Sequence, residues 1–157
     1  MNETSLEQRL QRAEELIQPL NGSMERPAEN RLDVSLDVTT LLPVVKSLLD
    51  DYWGYLAAIT GLDLGPEVGE IEVLYHFCSG AAVVTLRVRT GREEPAVPTV
   101  CDYIPSASFY ERELSEMLGV EVEGTPDPSR LFLPDEWPAG VYPLRKDYEP
   151  GAIDGGR

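Results

Sequence analysis

Three carboxylates fall within six residues, at Glu111, Glu113 and Glu116, inside the stretch "ERELSEMLGVEVEG". Carboxylates so close in sequence could hold a metal or exchange protons, provided that they converge on one point. A helix does not let them converge. In "SASFYERELSEMLG" Tyr110, Leu114, Met117 and Leu118 recur at helical spacing, and Ser108 with Glu111 fits a capping box. At about 100° per residue, Glu111 borders the apolar face, Glu113 flanks it and Glu116 points nearly opposite. Arg112 and Glu116 form an i, i+4 pair expected on the solvent side. A di-metal bundle site would add a Glu-x-x-His pattern, and this stretch has no histidine. Gly119 stands where a left-handed residue closes a helix.

The other reactive side chains are His76, Cys78 and Cys101. His76 and Cys78 share one face of a strand at i, i+2, which reads as core on a central strand. A zinc site would need Cys101 and a fourth group as well. No serine, cysteine or carboxylate stands at a spacing that would make His76 a catalytic base. Two cysteines are too few for a disulfide framework or an iron–sulfur ligand set. No glycine-rich dinucleotide or phosphate loop follows a strand. The residues therefore describe a binding module with no catalytic site, cofactor or metal of its own. The competing reading is a free-standing metal-binding or hydrolytic protein that uses His76, Cys78 and the 111–116 glutamates.

The elements around these residues can be read in order. Leu6, Leu10, Ala13, Leu16 and Ile17 predict a helix over 5–18, capped by Ser5 with Gln8. Residues 24–31, polar and containing Pro27, read as a loop. "LDVSLDV" (32–38) alternates as a half-exposed strand, with Asp33, Ser35 and Asp37 outward. Thr39 or Thr40 can cap a second helix, with Pro43 in its first turn and Gly54 closing it. Strands are predicted at 55–64, 70–79 and 81–90, the last two paired as a hairpin. Residues 91–100 read as a proline-containing connection. The order predicts an α+β fold, a mainly antiparallel sheet with helices packed on one face. Residues 1–119 form the core domain and 120–157 an extended C-terminal arm. From Gly124 onward the arm carries six prolines and five glycines in 34 residues, yet it keeps Leu131, Phe132, Leu133, Trp137, Val141, Tyr142 and Leu144. So many apolar groups need a surface, on this chain or on a partner.

Charge narrows the partners. The chain has 157 residues, 28 acidic and 13 basic, with a net charge of -15. Such a surface repels phosphate backbones and anionic lipid, and suits a positively charged protein. No window is apolar enough for a membrane span, and the N-terminus lacks a signal core, so the chain is expected in the cytoplasm. Within the arm, Arg145 and Lys146 stand side by side. Glu111 and Glu113 are the expected partners of this basic pair, with Arg145 buried and Lys146 exposed.

"FYERELSEMLGVEVEG", then "PDPSRLFLPDEW" and "YPLRKDY", resembles the thirty-kilodalton subunit family of respiratory complex I. That family's motif runs Glu-Arg-Glu, two residues, an acid, two apolar residues, Gly-Ile, then Glu-Gly-His-Pro. Glu111, Arg112, Glu113, Glu116, Met117, Leu118, Gly119, Glu123, Gly124 and Pro126 match it in order. "PLRKDY" (Leu144, Arg145, Lys146 and Asp147 within it) matches the family's closing motif, and "YLAAITGLDL" resembles an upstream segment. The family's histidine is Thr125 here, and the first of its two arginines is Ser129, which leaves Arg130. The stretch 129–148 is also similar to the small subunits of membrane-bound, energy-converting nickel–iron hydrogenases. The resemblance implies a subunit without cofactor or active site, held on the cytoplasmic side of the membrane through partners. Those partners would be the large subunit (quinone-site or nickel–iron hydrogenase-like) and the iron–sulfur subunits.

Overall fold

Ser5 and Gln8 exchange side-chain and backbone hydrogen bonds, the capping box that starts α1 (Leu6–Ile17). The computed structural model describes residues 5–153. By packing, these fall into two compact units. One holds the residues up to Ile59 with Val73–Arg89; the other holds Thr60–Glu72 with the residues from Thr90 on.

The expected loop at 24–31 is an edge strand, β1 (Ser23–Ala28), antiparallel to β2 (Arg31–Leu36). Pro27 cannot donate to a ladder, and it lies where the register slips between Glu25 and Ala28. β2 is interior, because its other edge pairs in parallel with β5 (Ala82–Gly91). Its second face is half-exposed as the alternation predicts, with Ser35 open to solvent, except at one position. Asp33 is buried there, held by Arg31 at 3.0 Å and Arg87 at 3.2 Å. The five-stranded sheet runs β1-β2-β5-β4-β3, with β3 at Tyr55–Asp63 and β4 at Glu70–Ser79. β3, β4 and β5 are neighbours joined by short turns, too short for a parallel crossover, so they run antiparallel. The result is an α+β fold with a mixed, mostly antiparallel sheet and three α-helices among the described residues.

α2 (Val38–Asp50) starts before the two threonines. Its N-cap is Asp37, without a side-chain cap bond, so Pro43 lies inside the helix and not in its first turn. Its apolar face, Leu41, Val44, Val45 and Leu48, is buried as the spacing predicts. With Leu10, Ala13 and Ile17 of α1 and the strand residues Leu32, Val34, Tyr75, Phe77 and Leu86, it makes the core of the first unit. Gly54 does not close α2. It is needed where any Cβ would strike the Cys78 carbonyl oxygen, and its φ is +74°.

The second unit is built around α3 (Ser108–Leu118), which follows a 3-10 turn at Pro105–Ala107. Gly119 closes α3 at φ 75°, as expected. The N-cap is Ala107, and Glu111 does not complete a capping box. The connection at 91–100 contributes β6 (Ala96–Pro98), paired in parallel with β7 (Glu121–Glu123) in a two-stranded sheet. Gly61 of β3 lies against Leu114 and Leu118, where a Cβ would leave no room for either leucine. Among the described residues no helix is long and apolar enough to cross a membrane.

Candidate functional site

The three glutamates of α3 point to three different places. Glu111 is 2% exposed. Its carboxylate accepts hydrogen bonds from the Thr99 hydroxyl (2.7 Å), the Val100 N–H (2.8 Å) and the Cys101 thiol (3.1 Å). Burial, joined by the neighbouring Glu111 carboxylate, pushes the Cys101 thiol up to about 11, so the group stays an S–H donor. Glu113 is half-buried, and its side chain makes no hydrogen bond or ion pair with any described residue.

Glu116 reaches across to the arm. Its carboxylate accepts the N–H groups of Leu131 (3.0 Å), Phe132 (2.7 Å) and Leu133 (3.3 Å). Arg112 does not pair with Glu116, contrary to its i, i+4 spacing. Its guanidinium donates to the carbonyls of Ser129 (2.9 Å) and Arg130 (2.6 Å), lies 3.4 Å from Asp127, and stacks 6.0 Å from the Phe109 ring. One side chain of α3 thus satisfies the arm's carbonyls and the other its amides, so five consecutive residues, 129–133, are held by their backbone.

The rest of the arm is held in the same manner. Arg130 donates to the carbonyls of Pro134 (2.9 Å) and Trp137 (2.8 Å), and Trp137 donates its indole N–H to Val141 (2.8 Å). Arg145 is half-buried, but its partners are not Glu111 or Glu113. It donates to the Leu118 carbonyl at the end of α3 (2.8 Å) and lies 4.7 Å over the Tyr142 ring. A cation suits the C-terminal end of a helix, whose carbonyls lack partners. The Lys146 side chain is exposed, and its backbone N–H donates to Asp63 (2.8 Å). The Leu144 N–H donates to Met117 (3.1 Å), while its side chain is exposed. Gly124 turns the chain after β7 at φ 79°, and Pro126 beyond it is exposed.

Sequence reasoning missed Asp63 and Arg92. Asp63 ends β3 and its side chain is 1% exposed. Arg92 forks onto both of its oxygens at 2.8 and 2.9 Å and also reaches Asp147 in the arm. The Arg92 guanidinium, then the Lys146 and Gly65 amides, hold the Asp63 carboxyl well below the usual carboxylate range, against the effect of burial. No local spacing signals this pairing, because the two residues lie 29 positions apart. The only trace was Asp63's place in the "YLAAITGLDL" segment.

Tyr142 covers Gly119, where a Cβ would stand 2.5 Å from the ring. Gly119→Ala should therefore cost about 2–3 kcal/mol, from the left-handed backbone and the displaced ring together. Thermal denaturation checks this. The second substitution Tyr142→Ala should recover the steric part of the loss.

His76 is half-buried, with Nδ1 3.1 Å from the Thr85 hydroxyl. Burial first, then the charge of Arg31, lowers its pKa below the usual histidine value. Cys78 is half-buried on the same strand. Among the described residues no three His, Cys, Asp or Glu side chains are grouped as metal ligands would be.

Residues 34–153 match the family described as "Respiratory-chain NADH dehydrogenase, 30 Kd subunit", and the chain belongs to this family. It is similar to an NADH-quinone oxidoreductase subunit of Saccharopolyspora erythraea, 34% identical over 142 residues, covering 81% of this chain and 56% of that protein. The membrane-bound hydrogenase subunit beta of Pyrococcus furiosus is 40% identical over 87 residues, covering 54% of this chain and 50% of its own. The chain thus spans about half the length of these curated relatives. Among solved structures, a trypsin-resistant fragment of Nqo5 superposes with a TM-score of 0.61 at 28% identity, covering 76% of this chain and 98% of that one.

Proposed function

We propose that the chain is a non-catalytic scaffold subunit in the peripheral arm of a membrane-bound, ion-pumping oxidoreductase, of the class that includes complex I and membrane-bound hydrogenases. Its role is to dock the large quinone-site or nickel–iron-type subunit and the iron–sulfur subunits on the cytoplasmic side. The observation that carries this reading is the clamp on the arm. Arg112 and Glu116 satisfy the backbone of 129–133, while Phe132 stays 64% exposed and Leu144 59% exposed. A segment ordered through its backbone, with large apolar side chains turned outward, is prepared for an interface and loses little entropy on docking. Family membership and the names of the relatives point to the same class of assembly. Arg112, Glu116, Gly119, Arg130 and Arg145 then shape the arm, Glu111 holds residues 99–101 beside α3, and Phe132 and Leu144 make the contact.

The test is purification through a tag on this chain in its native host. A large subunit and iron–sulfur subunits should follow it in fixed proportion. Glu116→Ala should reduce their retention about ten-fold and expose the amides of Leu131–Leu133 to hydrogen exchange, while the isolated chain stays folded. A wild-type chain that purifies alone, or Glu116→Ala with unchanged retention despite deprotected amides, would overturn the reading.

A further inference from the structure

The described backbone has nine residues at positive φ; seven are glycine, one is Asn21, and the last is Tyr52 at φ 54°. Tyr52 stands just past the end of α2. Its N–H donates to Leu49 (3.0 Å) and the Trp53 N–H reaches back to Leu48 (2.9 Å), the bond pattern of a Schellman closure. The left-handed position of that closure favours glycine, because a side chain there crowds the following carbonyl. At the corresponding position after α3 this chain does use glycine, Gly119. Here it places a tyrosine that is 92% exposed, whose side chain has no hydrogen-bond or ring partner among the described residues. The ring therefore contributes nothing to the fold and its backbone is strained. Three residues on, Tyr55 is also exposed, at 63%, whereas Trp53 between them is buried and donates its indole N–H to the Arg9 carbonyl (2.7 Å). Trp53 anchors the turn and the two tyrosines face outward.

We propose that Tyr52, with Tyr55, is a second docking point, carried by the first unit where the arm belongs to the second, and that it receives an arginine- or lysine-bearing face of another subunit. Two observations choose a cationic partner. Tyrosine rings attract guanidinium and ammonium groups over their faces. The chain as a whole carries 28 acidic and 13 basic residues, which would repel an acidic face, and at the turn itself Asp50 and Asp51 are paired with Lys46 and Arg12. The inference rests on the scaffold reading only in that the partner belongs to the same complex.

Two measurements on the intact complex test it. In the first, the photoreactive amino acid p-benzoylphenylalanine replaces Tyr52 in one preparation and Phe132 in another. Irradiation at position 52 should cross-link a partner peptide that contains arginine or lysine at the attachment point. A cross-link from 132 but none from 52 overturns the second docking point and leaves the scaffold reading standing. A cross-link from 52 to a peptide without basic residues overturns the chemistry. Cross-links from neither position sink both. In the second, Tyr52→Gly should raise the Tm of the isolated chain by about 2 °C and weaken association in the complex at least about five-fold, while Tyr52→Phe keeps it. Raised stability with unchanged association would overturn the proposal, since it would leave the tyrosine without a task.

Discussion

Asp63→Ala is expected to destabilise the chain by about 3–5 kcal/mol and to release the closing "LRKDY" segment of the arm. The large figure follows from burial. Asp63 and Arg92 are 1% and 12% exposed, and the aspartate also accepts the Lys146 and Gly65 amides. Removing it leaves a nearly buried guanidinium with only the exposed Asp147 and strands two backbone donors at once. Chemical denaturation gives the loss, and hydrogen exchange at the Lys146 amide shows whether the arm has come away. The same pair sets an acid limit. The folded state holds the Asp63 carboxyl well below its ordinary value, so the unfolded chain takes up the proton first. The stabilisation is complete above the ordinary carboxylate value of about 4 and is lost as the pH falls from there through the folded value. Asp63→Asn should remove this part of the pH dependence while changing the volume little. An unchanged acid limb in Asp63→Asn would contradict the assignment.

Glu111→Ala is expected to cost about 3–5 kcal/mol as well, for another reason. The buried carboxylate is the shared acceptor of the Thr99 hydroxyl, the Val100 N–H and the Cys101 thiol. Alanine leaves three donors without a partner and opens a cavity beside Leu114. Glu111→Gln should cost only about 1 kcal/mol. Its carbonyl can still accept the Val100 N–H, and the Thr99 hydroxyl can turn to accept from the amide. Cys101 provides an independent readout. It is buried and stays protonated in the native protein. Glu111→Ala, which removes both the charge and the burial, should therefore raise its reaction rate with a thiol reagent at pH 8 well above that of Glu111→Gln, which keeps the burial. Equal stability losses for the two variants would show that the acceptor network is not what holds this region.

Glu111 and Glu116 also mark the boundary between what sequence and tertiary structure each decide. Helical periodicity placed α3, its buried face and its Gly119 closure, because those depend on neighbours within two turns. The same local logic placed α1 with its capping box, and the β3, β4 and β5 strands. It also separated the carboxylates onto different directions. Their partners could not be read. Glu116 meets amides 15 to 17 residues away, Arg145 a carbonyl 27 residues back, and Lys146 a carboxylate 83 residues back. Arg112 and Glu116 have the spacing of a surface pair, and in water they would form one. The arm's carbonyls and amides compete for them, and several charge-assisted hydrogen bonds to the backbone outweigh one exposed ion pair. β1 was hidden for a related reason. A polar strand containing proline has no pattern of its own and exists because β2 offers it an edge. Local propensity and periodicity thus determined where the elements lie. Long-range hydrogen bonding decided what the charged residues between them hold, because a donor is satisfied by whatever acceptor the fold brings near, at any distance along the chain.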